Sequence, residues 1–163
     1  MRYLLTLQLL TVSALCESLH AQARIPPLDT LRAQAQALAG CYRFSWGDSI
    51  PALPTRLPTA LELRPALLTA LGYHRLGFFQ VRPAESRSGY RTWRPLSRDS
   101  LEIELMATPE LSPKDVTLSG KVLNDTLRGA VVEISVVPDT GLAFPKFRQE
   151  TVGYFTAERK QCR

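Results

Sequence analysis

Side chains able to do chemistry are sparse in this chain and do not cluster. Its 163 residues hold two histidines, His20 and His74, and three cysteines, Cys16, Cys41 and Cys162. A Ser-His-Asp arrangement beyond the first 23 residues would have to use His74, and no Gly-x-Ser-x-Gly elbow exists to present a serine to it. His74 stands between Tyr73 and Arg75 in an extended stretch, where an exposed or packed strand histidine is expected. Zinc needs three or four ligands at close spacing, more than one imidazole and two distant thiols supply. Glu102 and Glu104 are two apart and share a strand face. Paired carboxylates can do acid–base work, but the alternation of Ser100 to Met106 puts these two on its solvent side. No Gly-rich phosphate loop is present. The sequence therefore predicts no catalytic residue, no metal and no cofactor, and a protein that is not an enzyme.

The arginines carry more information. Arg82, Arg87, Arg91, Arg94 and Arg98 fall within seventeen positions, with Glu85 the only acid among them and Tyr90 and Trp93 interleaved. The whole chain has a formal net charge of +5. Arginine beside aromatic rings suits polyanions. The simpler reading is a solvated rim that keeps the surface charged. The partner such a patch implies depends on where the protein resides, and the N-terminus speaks to that.

Met1-Arg2 is followed by an apolar stretch from Tyr3 to Leu15, then by Ala21-Gln22-Ala23. A charged start, a short apolar run and a small-x-small site have the form of a secretory signal peptide over residues 1–23. The apolar run, about 13 residues, is shorter than the ~20 of a spanning helix. Lipid attachment at Cys16 is the alternative, but Leu15 fits a lipobox poorly. Residues 24–163 then form one exported domain, periplasmic or extracellular. Export excludes nucleic acid as partner and leaves acidic envelope polysaccharide or anionic lipid head groups. It also makes Cys41 and Cys162, which are 121 positions apart, a disulfide. Asn124-Asp125-Thr126 has the form of a glycosylation sequon, and Asn-Asp is equally ordinary turn chemistry.

These residues must be held by strands. Asp29 or Thr30 can cap a helix running to Ala39, with Gly40 as its stop. The apolar period then drops to two. Strands are expected over 41–46, 59–64, 73–82, 89–94, 100–106, 115–122, 126–137 and 149–157. Pro65 should end the second, a helical turn can form over 66–71, and Gly129 marks a bulge or tight bend in the seventh. Eight short strands without βαβ alternation predict a mainly β fold, an antiparallel up-and-down barrel with one N-terminal helix, or else a β-sandwich. Cys41 opens the first strand and Cys162 follows the last. Their bridge favours the barrel, stapled where first and last strands pair.

Gly40-Cys41-Tyr42 stands where lipocalins carry Gly-x-Trp, and Arg159 follows the last strand, where many of them place an arginine over that tryptophan. With the preceding helix and the eight-strand meander, the chain resembles the lipocalin, or wider calycin, family. Asn124-Asp125-Thr126 departs from the family's Thr-Asp-Tyr. The resemblance implies a barrel whose mouth holds a small apolar ligand. The aromatic residues Tyr42, Phe44, Trp46, Phe78, Phe79 and Trp93 are the candidates to line such a cavity, the first four being the expected ligand contacts, and a monomer is expected. Small barrels also fill their interiors with such rings. The other reading is then a structural or interaction domain of the cell envelope, with a filled barrel and a basic face for an anionic partner.

Overall fold

The computed structural model describes residues 26–48, 50–51, 53, 56–68, 77–86, 89–107, 114–137 and 146–162. The expected signal segment, His74 and Arg87 lie outside these. One helix, α1 (Leu28–Leu38), precedes eight strands. They are β1 (Gly40–Trp46), β2 (Ala60–Leu67), β3 (Phe79–Ser86), β4 (Gly89–Pro95), β5 (Ser100–Ala107), β6 (Lys114–Leu123), β7 (Thr126–Val137) and β8 (Lys146–Lys160). Each strand pairs antiparallel with the next, and β8 returns to β1, closing the barrel. The barrel is thus the fold, and the sandwich is excluded.

Alternation explains the wall. Tyr42 and Phe44 of β1, Leu61 and Leu63 of β2, Phe79 and Val81 of β3, and Leu101, Ile103 and Leu105 of β5 are all buried. The register aligns them in layers. Trp93 lies opposite Ile103, Ile103 opposite Leu118, and Leu118 opposite Val131. All four are fully inaccessible, so this layer of the barrel is packed core rather than pore.

Helix α1 presents Leu31, Ala35 and Leu38, one helical stripe, to that core. It packs against β2 and β4 at the end where β1 begins, and so closes that end. Its first intrahelical hydrogen bond runs from Leu31 N–H to Pro27 carbonyl at 3.1 Å. No side chain caps it, and Asp29 sits inside the first turn. The cap expected at Asp29 or Thr30 therefore moves to Pro27, whose fixed φ already suits the helix start.

Three other expectations shift. β2 continues through Pro65 to Leu67, with a register irregularity between Leu63 and Leu67 that accommodates the missing donor. This places 66–67 in a strand rather than a helical turn; 69–71 lie outside the described residues. The β7 register runs unbroken through Gly129. Gly129 instead faces Gly120, and a Cβ on it would stand 2.1 Å from the Ser119 carbonyl oxygen. The glycine permits close backbone approach, and the irregularity in this hairpin falls on β8, between the partners of Val131 and Val132. Asn124 and Asp125 both adopt positive φ, 50° and 60°, the geometry of a tight I′-type hairpin turn.

Candidate functional site

The seam between β1 and β8 ties the ends of the barrel together. Cys41 and Cys162 are bridged, with Cα atoms 5.3 Å apart. One pair further into the ladder, Tyr42 lies opposite Arg159. The Tyr42 hydroxyl donates to the Leu38 carbonyl at 2.8 Å. Burial pushes its pKa above the usual phenol value, with the Arg159 charge acting against the rise. Arg159 Nη2 donates to the carbonyls of Ala37, at 3.4 Å, and Ala39. These oxygens close the helix, where the dipole favours a cation. A Cβ on Gly40 would lie 2.7 Å from Arg159 Nε. Only a residue without a side chain lets the guanidinium lie there.

Of the four aromatics expected in the lumen, Tyr42 and Phe44 point inward and are buried. Trp46 is half-buried and stacks on Phe44, with centroids 5.2 Å apart and planes 11° apart. Phe155 packs on both, at 5.6 and 5.8 Å. Phe78 is buried but lies outside the core cluster, with the Arg94 guanidinium 5.3 Å above its ring. Its neighbour Phe79 is the one in the core, packed on Trp93 at 5.5 Å. Trp93 Nε1 donates to the Arg64 carbonyl at 3.0 Å. Ile50, Leu53 and Leu57 of the β1–β2 connection pack against the same cluster, adding apolar cover beside the aromatic stack.

Among the described residues, the arginine run does not form one face. Arg91 lies opposite Leu105, a lumen residue. It is half-buried, its Nη1 donates to the Pro83 carbonyl at 3.5 Å, and desolvation lowers its pKa. Arg94 pairs with Glu102 at 2.6 Å. Arg98 is exposed in the β4–β5 turn. Arg82 is exposed on β3, opposite Glu62. Strand alternation separates residues that sequence proximity groups together.

Arg82 joins a different set. A cleft of about 670 Å³ runs along the outer wall over β1, β2 and β3 beside the disulfide. Arg43, Arg82 and Lys160 line it, with Ala60 and Pro83 as apolar floor and Glu62 within it. Cross-strand register brings these together: Arg43 faces Ala60, Cys41 faces both Glu62 and Lys160, and Glu62 faces Arg82. Glu62 accepts from Arg64 at 2.9 Å, and Lys160 pairs with Glu158 at 2.5 Å. All three cations are exposed. Sequence reading missed this cleft because Arg43 and Lys160 stand far from Arg82 in the chain. Only the closed topology makes them neighbours.

Glu102 and Glu104 lie outside the lumen, as the alternation predicts. Thr92 donates to Glu104 at 3.2 Å, and burial, reinforced by the Glu102 charge, raises the Glu104 pKa. No group of three or more His, Cys, Asp or Glu side chains able to hold a metal is found among the described residues. No protein-family model matches the chain, and neither a curated protein nor a solved structure matches it.

Proposed function

We propose that this protein is an exported, non-enzymatic barrel of the cell envelope that binds an acidic polysaccharide through the cleft over β1, β2 and β3. The observation that carries this reading is the contrast between lumen and wall. The lumen layer of Trp93, Ile103, Leu118 and Val131 has no accessible surface. The outer wall offers a cleft of about 670 Å³ with three exposed cations and a narrow apolar floor. Repeated anionic groups on an extended polymer can meet Arg43, Arg82 and Lys160 in turn, while guanidinium forks give Arg43 and Arg82 bidentate hold on carboxylate or sulfate. The disulfide agrees with an oxidising compartment.

Chromatography on immobilised heparin, as a generic acidic polysaccharide, tests the reading. Retention should fall with salt and should be reduced by Arg43→Ala/Arg82→Ala. Retention equal to that of a neutral resin, or unchanged in the double variant, overturns it. Vesicles of anionic lipid form the second arm, and tighter binding to them would transfer the cleft to head groups.

The apolar-ligand reading keeps one specific support. The buried Trp46 indole N–H finds no acceptor among the described residues, and it lies at the lumen end opposite α1. A ligand there would have to displace part of the stack. Saturable quenching of tryptophan fluorescence by a fatty acid would favour this second reading over the first.

A further inference from the structure

The β8 strand is longer than its partner on one side. β1 ends at Trp46, opposite Phe155, and the last contact between them is Gly47 N–H to the Tyr154 carbonyl at 3.1 Å. Beyond it, β8 continues to Lys146, paired only with β7 among the described residues. The register irregularity of the β7–β8 ladder falls at Val152, just beyond the last contact with β1. Among the described residues, no strand therefore pairs with β8 over residues 147–151 on the side that β1 occupies further along. Apolar surface accompanies this edge: Phe147 is 65% exposed and its cross-strand partner Val136 41%.

We propose that this edge pairs antiparallel with the same edge of a second copy of the chain, about a two-fold axis through Gln149. The charge sequence selects both the occupant and the register. With Gln149 opposite its own copy, Arg148 falls opposite Glu150 of the partner subunit, twice, on the same sheet face. Phe147 falls opposite Thr151 of the partner subunit. A slip of two residues either way sets Arg148 against itself or Glu150 against itself, and a slip of one leaves neither charge opposite its complement. In the single chain Arg148 and Glu150 already pair along the strand at 3.1 Å, both more than half exposed. In the dimer each also gains a partner across the interface. The edge is thus self-complementary in charge, and strand addition satisfies its backbone groups. The result is a dimer in place of the expected monomer.

Equilibrium sedimentation of the oxidised protein tests this with three preparations. The natural sequence should dimerise. Arg148→Glu alone and Glu150→Arg alone should each weaken self-association by about tenfold or more, since both cross-pairs become repulsive. Mixing the two single variants should restore a dimer, now mixed, because every cross-pair is again opposite in sign. A natural protein that stays monomeric at its highest workable concentration overturns the proposal. So does a dimer indifferent to both reversals, or a mixture in which no mixed dimer forms. Unchanged circular dichroism and thermal midpoints in the variants separate lost association from lost folding.

Discussion

Arg159, at the end of β8, lays its guanidinium where a Cβ on Gly40 would stand, and from there donates to the last carbonyls of α1. One side chain thus joins the last strand, the first strand and the helix that closes the barrel. Arg159→Ala strips the Ala37 and Ala39 carbonyls of a charged donor. It should lower unfolding free energy by about 1.5–3 kcal/mol, the range for hydrogen bonds to charged groups. Gly40→Ala should show part of that loss by forcing the guanidinium aside. Urea denaturation of both variants checks this, and an Arg159→Ala variant as stable as the parent would show that α1 needs no such tie.

The disulfide closes a loop of 121 residues in sequence separation. Chain-entropy reasoning gives about 4–5 kcal/mol for that span, with measured bridges commonly nearer 2–4. Cys41→Ala/Cys162→Ala should therefore unfold at markedly lower denaturant while retaining the barrel's far-ultraviolet spectrum. The effect should match that of reductant on the natural protein. A double variant of unaltered midpoint would show that closure rests on strand pairing alone.

Phe155 is packed against both Phe44 and Trp46. Phe155→Ala should cost about 3–5 kcal/mol, the range for deleting a buried ring, and leave an apolar void beside Phe44 and Trp46. If the variant folds, it should acquire binding of small aromatic solutes that the natural protein lacks. Xenon or benzene uptake, followed by NMR, distinguishes the two. Equal uptake by the natural protein would mean that its lumen is already open.

The Glu104 carboxyl has a raised pKa because burial penalises its ionised form, and the Glu102 charge adds to this. The folded state then holds this proton more tightly than the unfolded chain. The contribution to stability is therefore present below the ordinary carboxylate range and is lost as pH rises through the folded value. Glu104→Gln keeps an acceptor for Thr92 and removes the titration. Its stability relative to the parent should improve from acid toward neutral pH. Parallel pH profiles for the two proteins would contradict the assignment.

The legible part of the fold was its periodic part. Tyr42-Arg43-Phe44 and Leu101-Glu102-Ile103-Glu104-Leu105 announce their inward and outward faces through side-chain type, and the terminal cysteines give the closure. Pro65 misled because a proline tolerated at a strand irregularity has the same local signature as one that ends a strand. Gly129 misled because close strand approach and a bulge both demand glycine. The candidate site was less legible still. Phe78 and Phe79 are adjacent and equally aromatic, and which one faces the lumen depends on a one-residue choice of register. Arg43, Arg82 and Lys160 meet only through the β8–β1–β2–β3 order, which no local window contains.

Chemical-shift mapping by two-dimensional NMR, with a sulfated oligosaccharide as probe, tests the proposed binding surface most directly. Amides of Arg43, Ala60, Glu62, Arg82 and Lys160 should move together and saturably. The shifts should diminish as salt is raised, and those of Phe44, Trp46 and Phe155 should stay in place. Shifts confined to the lumen residues, or none that saturate, would contradict the account.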